Sequence, residues 1–493
     1  MRSFRRDGMR YRAVSRTLGY ILLIFSAAFI LPVLAGLWFG ENPGFLLETF
    51  AVPGVVTAAV GAVLMLAGRR DEDLRDRDAF IAVAVAWLLI SLFGCLPYIL
   101  SGRLPAFIDA FFESTSGFTT TGASVITAPE SYVPSLLLWR ATTALIGGMG
   151  IIVLSMIVLS RIVGGSTQLL KAEASAHTSI RIMPSMRQIA TTLWAIYIGF
   201  IVTEIALLWV AGMAPFDAVC HSFTTLSTCG FSTKNIGIMA YDSTPWIGAI
   251  MSVFMVLGGM SFTLHYDWIT GKFRKLRENP ELWAYLGSLA AASFITFAVL
   301  YNAGTFSSLG ETVSHSIFVT TSIMTTTGYH SADFALWPSS SQLLIIFLMI
   351  VGGMSGSTAG GIKGIRFIVL LKMVRREIRK VIHPRAIHPI TLGGRPLSEE
   401  TTRNVISYFF IYIALFCVFA LGLCVVGMRV DEGLASSATA MSGVGPALGR
   451  FGPMYSYMDL HWVGKAIMCI AMWMGRLEIY PALLLFSPSA YKR

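Results

Sequence analysis

Ser322-Ile323-Met324-Thr325-Thr326-Thr327-Gly328-Tyr329 lies between two long hydrophobic runs, and three other segments of the chain repeat its pattern. The chain aligns on Gly122, Gly230, Gly328 and Gly445. Three residues before each glycine stand Thr119, Ser227, Thr325 and Ser442, all hydroxyls, and eight before stand Ser114, Ser222, Thr320 and Ser437, again all hydroxyls. Four before stand Phe118, Leu226, Met324 and Met441, and eleven before stand Phe111, Val219, Ile317 and Leu434. These two apolar positions are about two helical turns apart, so they form one face of a short helix. The glycines recur every 98 to 117 residues, which marks a repeat architecture.

Working outward, each segment sits between runs long enough to cross a bilayer. Of the 493 residues, 55% are hydrophobic and 13% charged, against about a quarter charged in soluble domains. Residues 18–40, 141–160, 245–266 and 334–362 carry no Asp, Glu, Lys or Arg. A membrane helix needs about 20 apolar residues, whereas barrel strands alternate over about ten. Ten spans are expected, at 18–38, 50–67, 79–100, 135–160, 188–212, 245–268, 281–302, 340–371, 404–427 and 459–486. The expected fold is an all-α polytopic membrane protein: four parallel helix–pore-loop–helix repeats around a pseudo-fourfold axis, plus two extra N-terminal helices. The expected divisions are a basic N-terminus at 1–17, the two additional helices at 18–70, and repeats at 71–165, 166–275, 276–385 and 386–493.

The net charge of +10 does not point to nucleic acid. Of the 37 Lys and Arg, 28 fall at 1–16, 69–77, 161–187, 272–277, 372–403 and 492–493. Arg103, Lys234, Arg429 and Arg450 occupy the alternate loops. This is the positive-inside pattern, and it places both termini in the cytoplasm with the glycine segments on the outer side. The six cysteines form no C-x-x-C pair, so neither a disulfide framework nor a zinc site is indicated. The first apolar run reads as a retained span, since it is too long for a signal-peptide core and lacks a cleavage site.

A short helix that enters from outside and stops at mid-depth points its C-terminus inward, and that end carries about half a negative charge. The strand after it must line a cavity, because unpaired backbone is tolerated at that depth only there. Four such strands offer rings of carbonyl oxygens that can replace the water shell of a monovalent cation. Hard divalent ions usually require carboxylates.

These residues resemble the Trk/Ktr/HKT potassium transporters over nearly the whole chain. The resemblance rests on Thr119-Thr120-Thr121-Gly122-Ala123, Ser227-Thr228-Cys229-Gly230-Phe231, Thr325-Thr326-Thr327-Gly328-Tyr329 and Gly443-Val444-Gly445-Pro446. It also rests on the glycine-rich segment 352–366 and on Gly475-Arg476-Leu477-Glu478. The two extra helices look like the bacterial Trk membrane subunit rather than Ktr. The resemblance implies potassium uptake through a filter of Thr120, Thr121, Gly122, Ala123, Thr228, Cys229, Gly230, Phe231, Thr326, Thr327, Gly328, Tyr329, Gly443, Val444, Gly445 and Pro446. It implies an intramembrane gate made of Gly352, Gly353, Ser355, Gly356, Ser357, Thr358, Gly360, Gly361 and Lys363, with Arg476 beside it. It further implies a homodimer in the bacterial inner membrane, opened by a cytoplasmic ring of nucleotide-binding regulatory subunits. Potassium is cargo, no cofactor is expected in this chain, and nucleotide is expected only on the regulatory partner. Two departures stand out: Gly443 replaces threonine and Pro446 follows the fourth glycine, so that quarter should be asymmetric. In the family a serine at a filter glycine goes with sodium permeation, and all four positions here are glycine.

Other polar residues are expected in the membrane. Five glycines interrupt the eighth span at 352–361, either as a broken transport helix or as a tight packing seam. Lys363, Arg366, Lys465, Arg476 and Glu478 should face a cavity or be paired. Arg476 is expected near the gating loop, repelling cations when that loop is closed, or in an ion pair with Glu478 or another acid. Glu204, mid-span, has no assigned role. His221, His315 and His330 are expected to be structural, and the basic run 372–385 to be solvated and lipid-facing, or else to dock the regulatory ring. Three competing functions are sodium or mixed sodium–potassium transport, transport of another solute, and intramembrane serine proteolysis. The last rests on Gly353-Met354-Ser355-Gly356 and needs a histidine partner, for which His265 and His461 are the candidates.

Overall fold

Large apolar side chains cover the outside of the bundle: Leu34, Val55, Trp209, Phe294, Phe410 and Leu421 are all exposed. A surface of that kind needs lipid around it. The computed structural model describes residues 9–68, 75–162, 186–386, 388–488 and 491. Residues 1–8, 69–74 and 163–185 of the basic clusters expected at 1–16, 69–77 and 161–187, the repeat boundary at 165/166, and Lys492 and Arg493 lie outside the described residues.

Two helices lead the chain, α1 (Tyr11–Trp38) and α2 (Pro43–Ala67), and they pack on each other. The first repeat holds α3 (Asp76–Gly94), the short α4 (Phe107–Phe118) and α5 (Pro134–Ile162). The second holds α6 (Met186–Val210), the short α7 (Pro215–Leu226), α8 (Pro245–Gly259) and α9 (Phe262–Ile269). The third holds α10 (Pro280–Ala303), α11 (Leu309–Met324), α12 (Ser339–Val351) and α13 (Gly364–Ile382). The fourth holds α14 (Glu399–Val425), α15 (Val430–Ser442), α16 (Trp462–Arg476) and α17 (Tyr480–Phe486). A two-residue hairpin, Thr391–Leu392 with Arg395–Pro396, supplies the strands among the described residues.

Local chemistry sets the helix starts. Pro215, Pro245 and Pro280 open α7, α8 and α10, where a missing N–H costs nothing. The Asn279 side chain accepts from the Glu281 and Leu282 N–H groups, and Ser308 and Ser398 cap α11 and α14 in the same way.

The packing is cyclic. Each short helix lies against the first and second long helices of its own repeat. The second long helix also packs on the short helix of the next repeat: α5 on α7, α8 on α11, α12 on α15. Then α16 packs on α4, and the ring closes.

Seven helices among the described residues are long and apolar enough to cross a membrane on their own. Three expected spans are not continuous. The 245–268 span bends by 102° between α8 and α9, and 459–486 bends by 120° between α16 and α17. The 340–371 span stops at Val351 and resumes at Gly364. The first break has a plain cause. In an unbroken helix the Gly258 carbonyl would accept the Phe262 N–H. Here Gly258 O takes Thr358 N, Gly259 O takes Met354 N, and Phe262 N donates to Gly356 O. The loop that interrupts the third repeat thus uses the hydrogen bonds that would have continued the second.

Candidate functional site

After each short helix the chain turns into an extended strand with the same backbone signature. Two residues before the aligned glycine, φ is positive in all four strands: Thr120 at 51°, Thr228 at 54°, Thr326 at 57° and Gly443 at 71°. The aligned glycines are left-handed too, at 80°, 76°, 84° and 107°. This accounts for Gly443. The position is left-handed throughout, three repeats hold a strained threonine there, and the fourth holds the residue that adopts it freely. Between the two left-handed residues, the N–H of Thr121, Cys229, Thr327 and Val444 donates back to Ser116, Thr224, Ser322 and Thr439 respectively. Each donor is thereby spent on the short helix.

The four strands meet around one axis. A Cβ added to Gly122 would collide with the carbonyl oxygen of Cys229. One on Gly230 would collide with Thr327 O, and one on Gly328 with Val444 O. On Gly445 it would stand 2.8 Å from Thr121 O, which closes the circle. The glycines are required by close approach as well as by φ. Hydroxyls brace the ring from behind: Ser114 Oγ donates to Ser91 O at 2.7 Å and Ser437 Oγ to Phe416 O at 2.8 Å. Tyr329 reaches across a repeat boundary, its hydroxyl 2.6 Å from Thr224 Oγ1.

All four glycines line a vestibule of about 310 Å³, together with Arg140, Lys234 and Arg450. None of these bases presents an unpaired charge to the mouth. Arg140 pairs with Glu113 at 2.6 Å, Lys234 with Asp217 at 3.1 Å, and Arg450 with Glu432 at 2.9 Å. The sequence reading missed these pairs. A signal existed, since Asp109, Asp217 and Glu432 all stand thirteen residues before an aligned glycine, and Asp109 pairs with Lys465. His221 Nε2 meets Ser232 Oγ at 3.0 Å and His315 Nδ1 meets Ser331 Oγ at 2.9 Å, so both are held by loop hydroxyls. Hydrogen bonding from Arg450 holds the Glu432 carboxyl down to about 2. A depressed pKa stabilises the fold above the ordinary carboxylate range, and that contribution fades as pH falls toward 2. Glu432→Gln should therefore flatten the acid limb of thermal stability between about pH 5 and pH 3. Identical losses of melting temperature in wild type and variant would contradict this.

Below the ring, the 352–363 loop lies across the strand bases. Thr358 Oγ1 donates to Leu226 O at 2.9 Å, and Gly360 N donates to Thr326 Oγ1 at 2.8 Å. A Cβ on Gly360 would strike Ser442 O. Glu281 Oε1 holds the loop from the other side through Ser355 N, at 2.7 Å. The cavity between loop and ring, lined by Thr119, Gly360, Ser442, Gly443 and Arg476, measures about 10 Å³. That admits one water at most. Arg476 Nη1 donates to Thr358 O at 2.8 Å and Nη2 to Gly147 O at 3.0 Å. It does not pair with Glu478. That carboxylate instead meets Lys363 at 3.5 Å and Arg366 through a charged hydrogen bond. A repeated Gly-Gly-Met went unread: it recurs at Gly147-Gly148-Met149, Gly258-Gly259-Met260 and Gly352-Gly353-Met354, and in the first two Gly147 and Gly258 lie against the Phe118 and Leu226 carbonyls. Glu204 is fully buried, and neither of its carboxylate oxygens has a hydrogen-bond partner.

The TrkH family of cation transport proteins matches residues 47–304 and 282–492. The chain belongs to that family. It is 33% identical over 488 residues to the Trk system potassium uptake protein TrkH of Salmonella typhimurium, which covers 98% of this chain and 100% of that one. It is 34% identical over 489 residues to the TrkH of Halomonas elongata, with the same coverage. The crystal structure of the potassium transporter TrkH from Vibrio parahaemolyticus superposes with a TM-score of 0.89 at 31% identity, over 98% of this chain and 100% of that one. TrkH proteins are multi-pass membrane proteins and transporters rather than enzymes, so the protease reading of Ser355 falls. The candidate base His265 is engaged elsewhere, its Nε2 at 2.8 Å from Leu257 O.

Proposed function

We propose that this chain is the pore subunit of a potassium uptake system, passing potassium along the axis ringed by its four glycine strands. The observation that carries the reading is the closed cycle in which each glycine faces the carbonyl of the next strand. Neutral carbonyl oxygens around an axis suit a large monovalent cation. The names of the relatives support potassium, and glycine at all four positions favours it over sodium. In this reading Thr120–Ala123, Thr228–Phe231, Thr326–Tyr329 and Gly443–Pro446 form the filter. The 352–363 loop is the gate, and Arg476 places a positive charge beneath the filter that opposes cations while the loop is closed. Potassium is cargo, and nucleotide acts on the partner. The repeat limits 71–165, 166–275, 276–385 and 386–493 belong to the same proposal. So do the inner membrane, two cytoplasmic termini, a homodimer and a cytoplasmic nucleotide-binding ring that moves the gate.

The test is growth at low potassium, and rubidium uptake, in cells stripped of their own potassium systems. Wild type should restore both. Gly230→Ser should lose them or admit sodium. Absence of uptake by wild type, even with its regulatory partner co-expressed, would overturn the reading.

A further inference from the structure

One polar-tipped aromatic on the first long helix of each repeat reaches the base of the ring. Trp87 on α3 donates from Nε1 to Phe118 O at 3.2 Å. Tyr412 on α14 meets Ser442, its hydroxyl 2.7 Å from Ser442 Oγ. Tyr285 on α10 donates to Val256 O at 3.3 Å, and its hydroxyl and Thr325 flank the space left by Gly259. Tyr197 on α6 and Ser227 flank the space left by Gly148 in the same way. The three tyrosines are buried. Trp87 is half-buried, with its ring against Gly150. Phe118, Ser227, Thr325 and Ser442 occupy the last helical position or the one after it, where each short helix gives way to its strand.

We propose that Trp87, Tyr197, Tyr285 and Tyr412 form a collar that fixes the width of the ring and so sets which monovalent ion it accepts. They are positioning residues, since they touch the strand bases and not the ion. The inference rests on the potassium-filter reading. Three of the four strands carry a threonine at positive φ just above the collar, and such backbone persists only where its surroundings hold it. Carbonyls that can close inward will dehydrate the smaller sodium ion better, so a softer collar costs discrimination before it costs flux. Glycines on the second helices (Gly148, Gly150 and Gly259) leave the room the aromatics need.

The experiment measures potassium and sodium flux through the full-length protein in liposomes. Tyr412→Phe keeps the ring and removes the bond to Ser442, and Ser442→Ala removes the same bond from the other side. One neutral hydrogen bond lost should lower the potassium-to-sodium ratio about three- to tenfold, with potassium flux nearly kept. Tyr301→Phe, on the exposed outer face of α10, is the control and should leave the ratio unchanged. If both variants lose flux with the ratio intact, the contact is merely structural and the collar is refuted. An unchanged ratio and unchanged flux refute it too. Equal passage of both ions by wild type would instead refute the potassium-filter reading beneath it.

Discussion

Gly328→Ala should abolish rubidium uptake while the protein still reaches the membrane. At φ 84° an alanine is strained by about 1–3 kcal/mol. Its Cβ would also run into the Val444 carbonyl and stand 3.0 Å from Pro446 Cδ. The obstacle is backbone and a proline ring, neither of which can swing aside, so overpacking adds about another 1–3 kcal/mol. The strand can relieve this by moving outward, and that opens the ring. A displacement of about 1 Å costs roughly a hundredfold where function depends on geometry. Gly445→Ala is the internal comparison. Its Cβ would lie 2.8 Å from Thr121 O, so a smaller shift suffices and some uptake should survive. Uptake by Gly328→Ala at the wild-type rate would show that the glycine-to-carbonyl cycle is not the conducting ring.

The second large effect is on stability. Glu478 is buried between Lys363 and Arg366, each with a side chain only 3% exposed. Glu478→Gln leaves two buried cations without an acid, a loss of about 3–5 kcal/mol. The site also carries backbone strain, because Glu478 and Ile479 both have positive φ, at 55° and 65°. Thermal unfolding in detergent should show a clear drop in midpoint. The double variant Glu478→Gln/Lys363→Met should recover part of it, because one uncompensated charge is gone. If the double variant is no more stable than the single, the two side chains are not coupled.

The aligned glycines and their hydroxyls were legible because they recur at fixed offsets and sit at matching places in the packing. The break at 352–363 was legible too, from its five glycines, but those at 260–261 and 477–479 were not. Gly258-Gly259-Met260-Ser261 reads as a small-residue seam inside an apolar helix, and what breaks it is a loop almost a hundred residues later that takes its carbonyls. One acid–base pair escaped for a related reason. Lys465 and Asp109 are 356 residues apart, and no local pattern joins them. Glu478 was visible as a membrane acid, and Arg476, two residues away, was the partner weighed for it, whereas the structure pairs it with Lys363 and Arg366.

The loop interrupts the third repeat, yet it touches the others as well: Leu226 in the second, Ser442 in the fourth, and, through Arg476, Gly147 in the first. A ring of four identical chains could not be built this way. Four copies of the loop would compete for one space on the axis, and any substitution would appear in every quarter at once. Linking the quarters in one polypeptide removes that restriction. One quarter supplies the loop, another the arginine that holds it, and a third the carbonyls that seat it. On the filter and gate reading proposed above, the near-symmetry serves the ion, and the departures from it leave a single moving part that one event can displace.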